Sequence, residues 1–335
     1  MEQIALPRKF LCSIDDNGPC LFYQLRALEI EQANFLDVKN LKLESVVAER
    51  VSVHDFLPSG NPQPLSYIFH SAFCGSTLLS RALSNAPKVM VLKEPDILMK
   101  TSSQYLHAGN KKILRFLMAS LNEISQPWSA TGQVVIKPTN SVNRLIPDIL
   151  GDYPGRAIFL CCSLEEFLIP CFKKLRAAEK KLRWMALHLT QGTELQRHLA
   201  ADYRHPFGFI ESCVITWYLQ MEYFSKAIDN ERSDGIRRIC MQDMLASPSE
   251  TVKMAADFLE IDKPDSEIAA AVQRGFNRNS KFTARAYDRN ERLKVVCEVK
   301  AKYESLLEAA LAWAEQYIAP FAVIPKASAN LLAAT

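Results

Sequence analysis

The sequence has no CxxC pair, no secretion-type start and no long apolar run. Its nine cysteines are scattered over 335 residues without metal-ligand spacing, so neither a disulfide framework nor a zinc site is indicated. No apolar run approaches the roughly 18 residues that a membrane span needs, and the start MEQIALPRKF lacks a basic and then apolar signal pattern. We therefore expect a protein of the reducing cytoplasm that contacts no membrane.

A strong charge of one sign is also missing. The 40 Lys and Arg residues stand against 37 Asp and Glu residues, which gives a net charge of +3 and argues against a surface built for nucleic acid. Hydrophobic residues make up 48% and charged residues 23%, which excludes a disordered chain, a collagen and a coiled coil. The six histidines show no metal-binding spacing such as HExxH. We expect a folded protein with no nucleic-acid partner and no metal, in which any anion site is local.

The chain divides into a small extension and a larger domain. Residues 1–62 contain apolar runs interrupted by Asp15-Asp16-Asn17-Gly18, a turn that suits a hairpin between two strands. They end in a stretch rich in proline, residues 58–64, which reads as a linker. The main domain is expected over 63–325, and the Ala-rich and Leu-rich end, 326–335, is expected to fray.

Short apolar strands alternate with helical stretches through the main domain. The predicted strands are 65–69, 89–92, 134–136, 157–161 and 239–241, and the predicted helices are 77–83, 111–121, 204–230, 248–259 and 301–317. This alternation predicts an α/β fold of three αβα layers around a parallel sheet of about five strands. Ligands of such sheets bind at the carboxyl ends of the strands.

The strongest local signal follows the first of these strands. The segment YIFHSAFCGSTLLSRAL, residues 67–83, runs from a strand through a small-residue loop into an amphipathic helix, so that backbone N–H groups and the positive helix end suit an anion. Laid on the Walker A pattern, Gly75 and Thr77 fit, whereas His70 replaces the first glycine and Ser76 replaces the lysine. Without that lysine, ATP or GTP hydrolysis is disfavoured. An ordinary turn before a helix is the alternative.

The loop resembles the 5′-phosphosulfate loop of sulfotransferases, which share the P-loop architecture but lack its lysine. Further along, Glu94 in VLKEP matches the general base of bacterial and protein-tyrosine sulfotransferases, with Lys93 beside it to hold the glutamate or a phosphate. Lys137 in VVIKPTN is similar to the lysine that the family places next to the sulfuryl group. The segment 242–245, Gln-Asp-Met-Leu, resembles a structural marker of that fold. For Glu94 and Lys137, a surface ion pair and a purely structural lysine are the alternatives.

The resemblance implies a P-loop-like sulfotransferase topology and sulfuryl transfer from 3′-phosphoadenosine 5′-phosphosulfate, as co-substrate, to a hydroxyl or amine of a small-molecule or peptide acceptor. Glu94 would be the general base and Lys137 would stabilise the leaving group. No metal is implied. The residues that the resemblance assigns to the nucleotide donor are Ser71, Ala72, Phe73, Cys74, Gly75, Ser76, Thr77, Ser163, Arg278, Ser280 and Lys281.

Three positions depart from the family pattern. Phe73 stands where the loop usually has a basic residue, and Cys162 and Pro170 stand where an arginine and a serine usually bind the 3′-phosphate. Basic residues gather in two other stretches, a predicted helix over 173–183 and a stretch without predicted regular structure over 274–294. We expect replacements for the lost contacts there, from Lys173, Lys174, Arg278 or Lys281.

Two other functions stay open at this stage. A phosphoryl transferase with an unusual nucleotide would use the same loop together with magnesium. A protein without catalytic activity that binds an anionic ligand or partner would explain the residues at 73, 162 and 170. The acceptor is not encoded in a recognisable pattern, because acceptor pockets are built from loops that vary independently of the fold.

Overall fold

The computed structural model describes residues 7–15, 18–37, 40–41, 47–108, 111–202, 207–230, 233–276 and 289–321. The N-terminal part contains β1 (Arg8–Ile14), β2 (Pro19–Leu25), α1 (Ala27–Gln32) and β3 (Glu49–Ser52). β1 and β2 form the antiparallel hairpin that the sequence predicts, and β3 pairs with β2 to complete a three-stranded sheet. The tail 326–335 lies outside the described residues.

The main sheet is parallel and has five strands. Its members are β4 (Leu65–His70), β5 (Val89–Lys93), β6 (Gln133–Lys137), β7 (Gly155–Cys161) and β8 (Ile236–Cys240), in the spatial order β5-β6-β4-β7-β8. The predicted α/β fold is therefore confirmed. The last strand, predicted over 239–241, spans Ile236–Cys240 instead. It ends at Cys240 because Met241 already belongs to the next helix.

Thirteen further α-helices belong to the described part of the main domain. They are α2 (Ser76–Leu83), α3 (Asp96–Ala108), α4 (Lys111–Ile124), α5 (Ile146–Asp152), α6 (Leu164–Lys174), α7 (Arg176–Thr190), α8 (Glu194–Asp202), α9 (Phe209–Asn230), α10 (Met241–Ala246), α11 (Pro248–Phe258), α12 (Asp265–Phe276), α13 (Arg289–Lys302) and α14 (Glu304–Tyr317). None of the helices in the described ranges is long and apolar enough to cross a membrane.

Several predicted boundaries were wrong. The basic stretch 173–183 is not one helix, because Leu175, at φ 30°, separates α6 from α7. The helix predicted over 301–317 is interrupted at Tyr303, between α13 and α14. The stretch 274–294 begins in α12 and ends in α13, and its middle, 277–288, lies outside the described residues. The helix predicted over 204–230 begins only at Phe209.

Apolar residues cover both faces of the main sheet. Ile68, Val91 and Ile158 pack into one core together with residues of α2 and α6. On the other face, Tyr67 and Phe69 share a core with α3, α4 and the strands of the N-terminal sheet. This arrangement gives the predicted three layers, and it makes the N-terminal extension part of one of the two cores.

The extension is attached next to the carboxyl end of β5. The N–H of Leu36 donates to the carbonyl of Lys93 at 2.8 Å, and the N–H of Asp96 donates to the carbonyl of Leu36 at 3.0 Å. Lys93 is fully buried, and its Nζ donates to the carbonyl of Glu31 at 2.5 Å, which stabilises the carboxyl end of α1. Burial lowers the pKa of Lys93 to about 8. The Lys93 ammonium group thus anchors the extension through a backbone carbonyl, whereas the sequence alone suggests a role in holding Glu94 or a phosphate.

Candidate active site

The loop between β4 and α2 has a strained backbone. Ala72 and Phe73 adopt left-handed conformations at φ 69° and 56°, and Gly75 follows at φ 80°. A left-handed conformation costs a residue other than glycine about 1–2 kcal/mol. Such strain is concentrated at functional sites, and successive N–H groups in these conformations form concavities that bind anions.

The positive φ at position 75 favours glycine. A Cβ there would also approach Cε of Met244 to 2.6 Å, so that the end of this flexible side chain would have to shift. Met244 lies in α10, in the segment that the sequence analysis treated as a structural marker. Ser76 and Thr77 then begin α2, and the first N–H groups of a helix have no acceptor within that helix. The loop that the sequence predicts to bind an anion thus ends at Gly75, where the first N–H groups of α2 begin.

Three of the predicted donor residues are engaged within the protein. The N–H of Ser71 donates to the carbonyl of Leu160 at 3.0 Å, and the N–H of Ala72 donates to Nδ1 of His70 at 3.1 Å. Cys74 is buried and its thiol donates to Leu160 at 3.3 Å, while burial raises the pKa of this thiol to about 11. Because the N–H groups of Ser71 and Ala72 bond within the protein, the loop N–H groups that remain as candidate anion contacts are those of 73–77.

The two predicted catalytic residues lie in contact. Lys137 Nζ is 2.6 Å from Oε1 of Glu94, and the lysine side chain is fully buried whereas the glutamate side chain is 20% exposed. The N–H of Glu94 also donates to the carbonyl of Lys137 at 2.7 Å. Glu94 leaves β5 in a left-handed conformation, φ 51°. This conformation places a third strained residue at the same edge of the sheet as Ala72 and Phe73.

Electrostatics keep Glu94 ionised. Burial is the largest single influence and raises the pKa of this carboxyl group, but the charge and the hydrogen bond of Lys137, together with smaller effects of neighbouring groups, lower the pKa of Glu94 to about 2. Lys181 on α7 contributes in the same direction. At neutral pH the site therefore contains one carboxylate near two lysines, a net positive environment that suits an anion.

His70 ends β4 directly beside this pair. Its Nε2 lies 3.7 Å from Oε1 of Glu94. Burial and then the positive charge of Lys137 lower the pKa of His70 to about 3, so the imidazole is neutral at physiological pH. The side-chain amide of Asn143 donates to the carbonyl of His70 at 3.0 Å and fixes the backbone there. The sequence marked His70 as the start of the anion loop but did not indicate its contact with the ion pair.

An aromatic residue of the extension also reaches the site. Lys137 Nζ lies 5.7 Å from the ring centre of Phe35. Phe35 immediately precedes Leu36, the residue that is hydrogen-bonded to Lys93 and Asp96. Phe35 is not among the site residues that the sequence predicts, because no local pattern indicates where a separate N-terminal segment docks.

One of the candidate cations lies at the loop. Lys174 Nζ, at the end of α6, is 4.6 Å from the ring centre of Phe73, a cation–π distance. The Phe73 ring also packs against Phe167, at 5.5 Å between ring centres. A positive charge therefore stands next to the position where the family pattern has a basic residue.

Ser163 and the two positions that depart from the family pattern, 162 and 170, lie in or just before α6. Ser163 caps α6, and its hydroxyl is hydrogen-bonded to the side chain and N–H of Glu166. Cys162 lies under the loop, with Sγ 3.8 Å from Oγ of Ser71, and Pro170 is inside α6. The three remaining candidates lie outside the described residues: Arg278, Ser280 and Lys281.

No group of three His, Cys, Asp or Glu side chains within the described ranges is placed to hold a metal ion. The chemical groups of the site are thus a carboxylate, a buried ammonium group, a neutral imidazole and a loop of backbone N–H groups. This set is able to bind an anion and to accept a proton from a neighbouring nucleophile.

No protein-family model matches the chain, and no curated protein matches it as a relative. Among solved structures, the chain is similar to a sulfotransferase from Mycobacterium avium, at 11% identity and a TM-score of 0.42 over 76% of this chain and 78% of that one. It is also similar to the sulfotransferase domain of the olefin synthase of Synechococcus PCC 7002, at 17% identity and a TM-score of 0.40 over 78% and 97% of the two chains. A mouse sulfotransferase solved with PAP is similar at 10% identity and a TM-score of 0.38, over 79% and 73%. All three of these structures are sulfotransferases.

Proposed function

We propose that this protein transfers a sulfuryl group from 3′-phosphoadenosine 5′-phosphosulfate to a hydroxyl or amine acceptor. The observation that supports this proposal most is the contact between Glu94 and the buried Lys137, at 2.6 Å, beside an anion-binding loop without a lysine of its own. A proton acceptor and a positive charge within one hydrogen bond of each other suit a reaction in which a nucleophile loses a proton while an anionic group leaves.

The loop and the nearby lysines would bind the donor. The N–H groups at the start of α2, the hydroxyls of Ser76 and Thr77 and the helix dipole favour a phosphosulfate group there. Ser76 and Thr77 are 6% and 8% exposed, so they would be largely shielded from water. Lys137 and Lys181 would add positive charge from the neighbouring elements. The residues present therefore fit the donor without a Walker lysine.

Glu94 would act on the acceptor. The donor supplies an activated sulfuryl group, and the acceptor oxygen or nitrogen forms a bond to its sulfur while the bond from sulfur to the bridging oxygen breaks. Glu94 would take the proton of the acceptor, and Lys137 would stabilise the negative charge on the departing phosphate oxygen. In this step the proton goes to Glu94, the sulfuryl group goes to the acceptor, and the electron pair of the broken bond stays on the departing phosphate oxygen.

Lys137 would also control when Glu94 is basic. With Lys137 at 2.6 Å, the pKa of Glu94 is about 2, which is too low for an efficient base near neutral pH. An anionic donor competes with Glu94 for the ammonium group. Once Lys137 turns toward the donor, burial becomes the dominant effect and raises the pKa of Glu94. Donor binding would thereby activate the base.

Phe35 would border the acceptor. It is the aromatic residue that the N-terminal extension brings next to Lys137, at 5.7 Å from Nζ to the ring centre. An aromatic wall beside the base favours an acceptor with an apolar or aromatic body next to its nucleophilic group. The extension would thus contribute to acceptor binding.

The proposal is tested by turnover of the donor. Purified protein is incubated with the phosphosulfate donor and separately with a phenol, a primary alcohol and an amine, and release of adenosine 3′,5′-bisphosphate is measured with and without magnesium. We expect release that depends on an acceptor and does not require magnesium. Transfer of phosphate from a nucleoside triphosphate that requires magnesium, with no release from the phosphosulfate donor, would contradict the proposal and indicate a phosphoryl transferase.

A further inference from the structure

His70 has a buried N–H group that the described part of the chain leaves without a partner. The residue is 4% exposed, and its Nε2 forms no hydrogen bond with any described residue. The other ring nitrogen, Nδ1, accepts the N–H of Ala72 at 3.1 Å. In a neutral imidazole, one nitrogen donates and the other accepts. The proton of His70 is therefore on Nε2.

The acceptor that faces this N–H is Glu94. Its Oε1 lies 3.7 Å from Nε2, slightly beyond hydrogen-bond length, and the same oxygen is bound to Lys137 Nζ at 2.6 Å. The carbonyl of Pro138 also faces the imidazole, without a hydrogen bond of good geometry. The charged groups around the ring are thus Glu94, Lys137 and Lys181. Because a buried donor without a partner is costly, its position beside the ion pair calls for a functional reason.

We propose that His70 is a positioning residue for Glu94: its Nε2–H becomes the hydrogen-bond donor to Oε1 when Lys137 turns to the sulfuryl donor. This inference rests on the proposed function. It explains how the carboxylate keeps its orientation after the ion pair is broken. Oε1 then accepts the hydrogen bond from His70, and Oε2 is left to take the proton of the acceptor.

The same geometry excludes His70 as the proton acceptor itself. Nδ1 is occupied by the N–H of Ala72, and Nε2 already carries the proton. To accept a proton, the ring would have to give up its contact with the loop. Because that contact holds the left-handed Ala72 in place, the position of the anion loop and the orientation of Glu94 depend on one side chain.

The first test is nuclear magnetic resonance of the imidazole nitrogens, which requires no substrate. In the wild-type protein we expect His70 to carry its proton on Nε2 and to stay neutral down to about pH 5, with the exposed His54 as internal reference. In Lys137→Met, the nearby positive charge is lost and Glu94 is released. The pKa of His70 should then rise by about one unit or more. A proton on Nδ1, or an unchanged pKa in Lys137→Met, would overturn the proposal.

The second test compares two amides at position 70. A glutamine places an N–H near the position of Nε2, whereas asparagine is too short to reach Glu94. We expect His70→Asn to lower kcat about 10- to 100-fold, the effect of a hydrogen bond to a charged group. KM for the donor should change little, and His70→Gln should recover much of the loss. Equal activity of the two variants would contradict a positioning role.

The two tests separate this inference from the proposed function. Titration of the wild-type protein with adenosine 3′,5′-bisphosphate reports on the function alone. If the nucleotide does not bind but the pKa of His70 responds to Lys137→Met, the coupling of the three residues holds and the assigned reaction is wrong. If the nucleotide binds and His70 does not respond, the reaction stands and His70 has no positioning role.

Discussion

Lys137 Nζ and Glu94 Oε1 lie 2.6 Å apart at the ends of two neighbouring strands, and the lysine is fully buried. The desolvation of a buried ammonium group is costly unless it is paired. The ion pair with Glu94 offsets the desolvation of Lys137, and the positive charge of Lys137 in turn keeps Glu94 ionised. Loss of either residue is therefore expected to change the state of the other.

Glu94→Gln should abolish transfer and leave nucleotide binding in place. The amide keeps the shape of the side chain but does not accept the proton of the acceptor, and a general base contributes about 10²- to 10⁴-fold to the rate. The measurement is the release of adenosine 3′,5′-bisphosphate in the presence of acceptor, together with a nucleotide titration.

Glu260→Gln is the matched control. Glu260 is also a glutamate with positive φ, 57°, but it pairs with Arg156 near the start of β7, at the opposite edge of the sheet. We expect this variant to keep its activity. A Glu94→Gln variant as active as Glu260→Gln would show that Glu94 is not the base.

Lys137→Met should raise the pKa of Glu94 above its ordinary value of 4.5. The largest single influence on this carboxyl group is burial, which raises its pKa, and Lys137 is the main opposing charge. The measurement is a carbon-13 titration of the Glu94 carboxyl group. Lys93→Met removes the equally buried lysine that caps α1; it should lower stability and leave the pKa of Glu94 low. A low pKa in Lys137→Met would refute the assigned coupling.

Lys174→Gln should weaken the binding of adenosine 3′,5′-bisphosphate by about tenfold or more, because a hydrogen bond to a charged phosphate is lost. Lys174 Nζ lies over the ring of Phe73 in the anion loop, whereas Lys173, exposed on the same helix, provides a control of equal charge. Adding Phe73→Arg to Lys174→Gln should restore affinity by returning a cation to the loop. If Lys173→Gln and Lys174→Gln weaken nucleotide binding equally, Lys174 contributes only through the overall charge of the protein and not through a specific contact.

His70→Gln should make the protein less sensitive to mild acid. The pKa of His70 is about 3 in the folded protein and about 6.5 in an unfolded chain. Between these values the unfolded chain binds the extra proton, so the free energy of unfolding falls as the pH falls, by about 1 kcal/mol per pH unit. Urea unfolding of both proteins at about pH 7 and pH 5 checks this, with His54→Gln as control. An equal fall in the free energy of unfolding of wild type and His70→Gln between these pH values would contradict this prediction.

The sequence predicts the central part of the site because its signals are local. Gly75 stands between an apolar strand and an amphipathic helix, and the small residues around it suit a turn. Glu94 and Lys137 each follow a strand directly. Because parallel strands end at the same edge, their proximity is predictable once the sheet is assigned, and β5 and β6 are in fact neighbours.

Other features depend on tertiary contacts and are absent from the local pattern. Phe35 reaches Lys137 only because the extension docks onto β5. The sequence also does not indicate which way the N–H of a loop residue points. Ala72 is left-handed, and its N–H donates to His70 rather than facing an anion. Leu175 interrupts a stretch whose composition suits one continuous helix. Secondary-structure propensity describes single segments and does not specify how these segments pack against each other.

Calorimetric titration of the wild-type protein with adenosine 3′,5′-bisphosphate tests the central claim most directly. The claim is that the loop around Gly75, with Lys137 beside it, binds the nucleotide of a sulfuryl donor. We expect binding in the micromolar range that weakens with salt and does not depend on magnesium. Absence of binding at millimolar nucleotide would contradict the assignment of the loop and, with it, the proposed reaction.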